Sequence, residues 1–317
     1  MTRSGRLVAR YAALVCDLDG VVYRGASAVP HAVEVLAALD LPVLYATNNA
    51  SRAPADVATH LGDLGLPCAP DAVATSSQAG AWLLRDRLEP GSAVLAVGGA
   101  GVAAALEEAG LRAVLPTAVD HPQVRAVLQG YGPAVTAADL AEAAYAVQGG
   151  ATWAATNTDG TLPTDRGVAP GNGSLVAAVQ RAVGAPPKLV AGKPSAPLYL
   201  LCARRLDLPP EQILAIGDRL DTDIEGAVAA GMDSLLVLTG VDDLRACLQA
   251  PPHRRPTYVA PDLRGLLADP DAATGALAEL TAAVRAGHAA VDAGAGAQQV
   301  QALVARAEGV LEAAAHR

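Results

Sequence analysis

Four short stretches of this chain place polar side chains at the ends of apolar runs. In Cys16-Asp17-Leu18-Asp19-Gly20-Val21 an apolar strand runs directly into two acids two residues apart. Side chains alternate along an extended backbone, so Asp17 and Asp19 are expected on one side of it. Two crowded carboxylates need a cation between them or a shared proton. Magnesium suits them, because it takes one or two carboxylates and completes its shell with water and phosphate oxygens. A turn with a helix cap is the alternative reading of the same residues. In Ile216-Gly217-Asp218-Arg219-Leu220-Asp221-Thr222-Asp223 a further acid, Asp218, stands at a strand tip and can supply another metal carboxylate. Asp221 and Asp223 either cap the helix that begins near Ile224 or tune the site from behind.

The other two stretches are suited to an anion. Thr47-Asn48-Asn49 follows the apolar run at residues 41–45. Its hydroxyl, side-chain amides and backbone N–H groups can grip phosphate oxygens, although Asn-Asn also marks ordinary turns. Ala191-Gly192-Lys193-Pro194 leads from a short strand into a helix, in a chain whose only lysines are Lys188 and Lys193. The Lys193 ammonium can offset the acids and hold a phosphate as a point charge; otherwise it is a solvated surface lysine.

The elements that must position these residues alternate between strand and helix. Apolar runs predict strands at 14–17, 43–47, 72–75, 93–97, 126–129, 153–157, 189–191, 213–217, 235–238 and 258–259. Helical spacing predicts helices at 32–39, 57–64, 102–109, 140–147, 175–183, 197–206 and 224–230. Gly65, Gly110, Gly184 and Gly231 stand where C-caps belong. This alternation implies an α/β protein with a parallel sheet covered by helices. Each polar stretch falls where a strand hands over to its crossover, the place where open parallel sheets bind ligands. The last fifty or so residues are Ala-rich. Leu277, Leu280 and Val284 mark one helix face and Val300, Leu303, Val304, Ala307, Val310 and Leu311 another, which predicts a helical hairpin packed on the core or on a partner subunit.

Composition narrows the function classes. With 317 residues, 52% of them hydrophobic, the chain can bury a core large enough for two domains. A net charge of −9 argues against a nucleic-acid partner. The four cysteines have no disulfide-framework or metal-site spacing. Acids follow the short apolar stretch near the N-terminus, unlike a signal peptide, and no apolar run approaches membrane-spanning length. No membrane partner and a cytoplasmic location are therefore expected.

Taken in order, Asp-x-Asp-Gly-Val, Thr-Asn-Asn, Gly-Lys-Pro and Gly-Asp-x-x-x-Thr-Asp resemble the four motifs of haloacid dehalogenase-type phosphatases, over about residues 12–262. The sequence is similar to the branch containing p-nitrophenyl, phosphoglycolate, pyridoxal and some glycerol-phosphate phosphatases. Further matches are Thr75-Ser76, Ala155-Thr156-Asn157-Thr158-Asp159, Pro170-Gly171-Asn172-Gly173 and Leu238-Thr239-Gly240-Val241. Two departures are Cys16, where an aromatic or aliphatic residue is usual, and Gly132, where an Asp often stands.

The resemblance implies a doubly wound, Rossmann-like parallel-sheet core with an inserted α/β cap and a C-terminal helical tail. The expected boundaries are core 1–87, cap 88–187, core 188–269 and tail 270–317. It also implies magnesium held by Asp17, Asp218 and the Asp19 backbone carbonyl. Asp17 is then the nucleophile and Asp19 the acid and base; Thr47, Asn48, Asn49 and Lys193 bind the phosphate, with Asp223 behind them. The implied partner is a small phosphomonoester, glycerol 3-phosphate first, with 2-phosphoglycolate or p-nitrophenyl and pyridoxal phosphates as alternatives, and the implied assembly is a homodimer through the cap. A dehalogenase is disfavoured by Asp19, since a halide leaving group needs no acid. The rival of another class is a non-catalytic phospholigand sensor, and the complete set of acids with Lys193 argues against it.

Overall fold

The computed structural model describes residues 5–117, 123–164 and 166–315. The chain divides into two compact units. The first comprises Met1–Tyr45, Leu64–Leu66 and Cys202–Arg317, the second Ala46–Asp63 and Pro67–Leu201. The first unit opens with β1 (Ala13–Cys16), a small hairpin of β2 (Tyr23–Arg24) and β3 (Ser27–Ala28), α1 (Ala32–Ala37) and β4 (Val43–Thr47), whose last residues already belong to the second unit. The second continues through α2 (Pro54–Asp63), β5 (Val73–Thr75), α3 (Ser76–Arg85), β6 (Ala93–Val97), α4 (Ala100–Glu108), β7 (Arg112–Val114) and β8 (Ala126–Gln129). It is completed by α5 (Ala137–Gln148), β9 (Thr152–Ala155), β10 (Thr161–Thr164), β11 (Gly167–Pro170), α6 (Asn172–Val183), β12 (Leu189–Val190) and the start of α7 (Pro197–Leu206). The first unit resumes with β13 (Ile213–Gly217), α8 (Glu225–Ala230), β14 (Asp233–Val237), α9 (Leu244–Leu248), β15 (Tyr258–Ala260), α10 (Ala276–Asp292) and α11 (Ala297–Ala315).

In the first unit the strands run parallel in the order β15-β14-β13-β1-β4. Every residue of β1 and β13 is buried, as expected of central parallel strands covered on both faces. After β1 the order turns: β4 lies on one side and β13 on the other. This is the switch point beyond which such sheets bind ligands, and the stretches after β1 and β13 carry Asp17 and Asp218.

The second unit has its own parallel sheet, β12-β9-β8-β6-β7, and the antiparallel hairpin β10-β11. Its strands alternate between two cores. Val94, Ala96 and Leu128 pack with Leu84, Val102 and Leu106 of α3 and α4. Leu95, Val97, Val127 and Trp153 pack on the other side with Ala143, Ala144, Val176 and Val179 of α5 and α6. The period of two along each strand feeds both layers.

Gly65, Gly110, Gly184 and Gly231 all adopt positive φ, between 75° and 89°, the left-handed conformation that ends a helix at little cost only for glycine. The C-terminal hairpin forms as expected, reversing at Gly294 (φ 79°). Its Leu280, Val284, Val300, Val304 and Ala307 share a core with Leu244, Leu248 and Val259. The sequence reading did not anticipate α3, α9, β7 or the β10-β11 hairpin. No helix among the described residues is long and apolar enough to cross a membrane.

Candidate active site

The acids gather at the switch point of the first unit. The Asp17 N–H donates to Ile216 O at 2.9 Å, so the β1–β13 ladder continues one residue past β1 and sets Asp17 against the end of its neighbour. Asp17, Asp218 and Asp223 are buried, and each offers a carboxylate oxygen within 4.8 Å of the others. Three carboxylates this close repel one another unless a cation lies among them, and an all-oxygen set is what magnesium prefers.

Two glycines admit Asp218. A Cβ on Gly240 would lie 1.7 Å from its Oδ2, and one on Gly20 (φ 84°) 2.3 Å from it. That oxygen accepts from Val241 N at 2.8 Å, and Thr239 Oγ1 donates to Gly20 O at 2.7 Å, tying the two glycine loops together. Asp223 is held in the widened π-type turn Leu220–Ile224. Its carboxylate accepts from Arg219 N at 3.1 Å, and it packs where a Cβ on Gly217 would sit 2.1 Å from its own Cβ. Asp221 faces away and pairs with the Arg219 guanidinium at 3.0 and 3.1 Å. Asp223 joins the acidic group directly and Asp221 does not, whereas the resemblance had placed Asp223 behind the site.

Asp19 is arranged differently from the extended-strand expectation. β1 ends at Cys16 and the chain folds at once, with Leu18 O accepting from the N–H groups of Val21, Val22 and Tyr23. Asp17 is consequently buried and Asp19 exposed. A buried carboxyl and an exposed one two residues further on are the arrangement a nucleophile and an acid require. Cys16 is buried and its thiol donates to Asp17 O at 3.2 Å.

The anion-binding candidates lie in the second unit. Thr47 is buried and its Oγ1 accepts from Asn49 N at 3.1 Å. Lys193 is only 3% exposed, which rules out the solvated-lysine reading, and its Nζ donates to Ala46 O at 3.2 Å. Asn48 clasps the Lys193 peptide: its Oδ1 accepts from Lys193 N at 2.9 Å and its Nδ2 donates to Lys193 O at 3.0 Å. A Cβ on Gly192 would fall 2.5 Å from Asn48 Oδ1, so only glycine fits before the lysine. The Asn49 side-chain oxygen Oδ1 accepts from Ser51, from its N–H at 3.0 Å and its hydroxyl at 2.8 Å.

Sequence reasoning missed the side chains that hold this loop. Ser76 Oγ and Asn157 Nδ2 both donate to Asn48 O at 2.8 Å, and Ser77 Oγ donates to Ala50 O at 3.0 Å. Ser76 and Asn157 lay within family-like matches, but nothing in their spacing announced the shared acceptor. Gly132, the departure in the inserted unit, sits where a Cβ would lie 2.6 Å from Gly99 N and 2.7 Å from Gly98 C. An Asp there would need the backbone to move.

The haloacid dehalogenase-like hydrolase model matches residues 14–112, and a HAD-hydrolase-like model matches residues 190–266. D-glycerol 3-phosphate phosphatase of Mycobacterium tuberculosis is 47% identical over 256 residues, which cover 81% of this chain and 71% of that protein. The chain belongs to the haloacid dehalogenase-like hydrolases. Acid sugar phosphatase of Staphylococcus aureus is 34% identical over 263 residues, 82% of this chain and 98% of its own. Among solved structures of this family, glycerol phosphate phosphatase from M. tuberculosis in complex with magnesium superimposes with a TM-score of 0.79 at 45% identity, covering 83% of this chain and 78% of that one.

Proposed function

We propose that this haloacid dehalogenase-like phosphatase hydrolyses glycerol 3-phosphate, with Asp17 as its nucleophile. The observation that carries the reading is the buried group of Asp17, Asp218 and Asp223 at the switch point of a parallel sheet. The substrate follows from the 47% identity to a D-glycerol 3-phosphate phosphatase; 2-phosphoglycolate is the nearest alternative.

The enzyme is a magnesium-dependent phosphomonoesterase. The carboxylates of Asp17, Asp218 and Asp223 and the Asp19 carbonyl are the groups to hold the ion, which when bound offsets the phosphate charge. In the first step an Asp17 carboxylate oxygen forms a bond to phosphorus, and the bond from phosphorus to the ester oxygen breaks. The Asp19 carboxyl gives its proton to the departing alkoxide, so glycerol leaves neutral. Asp19 then takes a proton from water, whose oxygen attacks phosphorus; inorganic phosphate departs and the Asp17 carboxylate is restored. Thr47, the Asn48–Asn49 loop and Lys193 orient and stabilise the transferring phosphoryl group, which is mainly positioning and electrostatics.

The test is phosphate release from glycerol 3-phosphate, 2-phosphoglycolate, pyridoxal 5′-phosphate and p-nitrophenyl phosphate, with magnesium and with chelator, for wild type and Asp17→Asn. Magnesium-dependent release, fastest from glycerol 3-phosphate and lost in the variant, is expected. Full activity in Asp17→Asn would refute the nucleophile, equal turnover of all four would refute the substrate, and no turnover of any would favour a phospholigand sensor. We further infer a cytoplasmic location, in keeping with four cysteines that form no disulfide, and a homodimer formed through the second unit, where Leu115, Tyr145 and Val168 are exposed. Sedimentation of Tyr145→Glu unchanged from a dimeric wild type would count against that surface.

A further inference from the structure

We propose that Asp159, in the turn that follows β9, is a positioning residue for phosphoryl transfer that acts on Lys193 through Asn48. The proposal rests on the reading that Lys193 meets the transferring group. Asn48 Nδ2 has two protons; one goes to Lys193 O and the other to Asp159 Oδ2, both at 3.0 Å. With Oδ1 taking Lys193 N, the amide is committed at both ends. An amide turned by half a rotation would set its NH2 against the Lys193 N–H and its oxygen against both Lys193 O and the Asp159 carboxylate, three repulsive pairs. The carboxylate therefore joins the lysine peptide's own N–H and C=O in fixing which way Asn48 faces, through a hydrogen bond strengthened by its charge.

Asp159 is itself braced. Its N–H donates to Asn157 Oδ1 at 3.2 Å, and its carbonyl accepts from Gly173 N at 2.8 Å. A Cβ on Gly171 would lie 2.4 Å from Asp159 O, and one on Gly173 2.2 Å from Thr158 O, so glycines let the start of α6 close against this turn. Asn172 Nδ2 holds Asn157 O at 2.7 Å, while Asn157 Nδ2 reaches Asn48 O. The turn thus grips Asn48 at its carbonyl and at its amide, and Asn48 grips Lys193 at both main-chain polar atoms. Displacing a catalytic group by an ångström costs on the order of a hundredfold in rate, so a network that fixes the root of the lysine governs the chemistry without touching the substrate.

The experiment is a double-mutant cycle of Asp159→Ala and Asn48→Ala, read as kcat and KM on the ester turned over fastest, with melting temperature followed in parallel. Asp159→Ala is expected to lower kcat roughly ten- to hundredfold with a smaller change in KM. Asp159→Asn, which keeps an acceptor oxygen, should recover most of that loss. Asn48→Ala should fall at least as far, and the double variant no further than Asn48→Ala alone. Independent, additive losses would overturn the proposal, as would Asp159→Asn failing like alanine, or a lowered melting temperature with kcat intact. Asp159→Ser, too short to reach Asn48, gives the same reading if alanine weakens the fold. Lys193→Met separates the two levels: full activity in it overturns the role of Lys193 itself, whereas a dead Lys193→Met beside an unaffected Asp159→Ala overturns only the positioning role.

Discussion

At the scale of single residues the acids were legible because two carboxylates crowded at a strand end repel one another unless a cation or a shared proton lies between them. The glycines that admit them were not. Gly240 came to notice only as part of a family-like match, yet a Cβ there would stand 1.7 Å from the Asp218 oxygen that Val241 N holds. Gly240→Ala must therefore displace either the loop or the carboxylate. We expect the magnesium concentration for half-maximal activity to rise at least tenfold, with kcat lowered at saturation, because a displaced ligand weakens metal binding on the order of ten- to a hundredfold. Titrating activity against magnesium checks this, and an unchanged curve would show that the loop moves without Asp218. Asn48 teaches the converse. Its type and place suggested a phosphate ligand, but its amide is spent on Lys193 and Asp159, and no pattern in sequence distinguishes an amide that binds a ligand from one that holds a neighbour.

At the scale of elements the parallel strands were legible where they are buried on both faces. β4, β6, β8 and β13 have the bounds expected, since each is a continuous apolar run closed by a polar or glycine residue. The helix ends were marked by glycines whose positive φ the structure confirms. The missed elements lack such contrast. β7 has three residues, one of them an exposed Arg, and β10-β11 pairs only with itself, so neither needs an apolar run. For α3 the signal was present but unread. Thr75-Ser76-Ser77-Gln78 is a capping box, Thr75 Oγ1 accepting from Gln78 N at 3.2 Å and Gln78 Oε1 from Thr75 N at 3.1 Å. Its first turn buries serines and a glutamine, so a search for apolar periodicity passes over it. Those serines are buried because they serve the Asn48–Ala50 loop, and the local rule fails where function replaces an apolar face.

At the scale of the whole molecule, the C-terminal hairpin completes a core and does not hang from one. α10 and α11 cover Leu244, Leu248 and Val259, and His288 of α10 is buried beside them with its Nε2 donating to Cys247 O at 2.8 Å. A carbonyl accepts only, so the ring is the neutral tautomer with hydrogen on Nε2 or the charged form. Burial is the largest influence and holds the His288 pKa below its ordinary value of 6.5; the Arg255 charge adds to this, while the Cys247 carbonyl and Asp292 oppose it. Arg255 and Asp292 are themselves paired, so their effects on the ring partly cancel and burial decides the direction. A base whose pKa is lower folded than unfolded binds fewer protons in the folded state. Its contribution to stability is therefore complete above the unfolded value and is lost as pH falls below it towards the folded one. His288→Gln keeps an N–H for Cys247 and removes the titration. The melting temperature of wild type minus that of this variant should thus be flat above about pH 7 and decline as pH drops from about 6.5, the ordinary histidine range. A difference that stays level across this window would show that the buried ring does not resist protonation, and that the hairpin docks without regard to its charge.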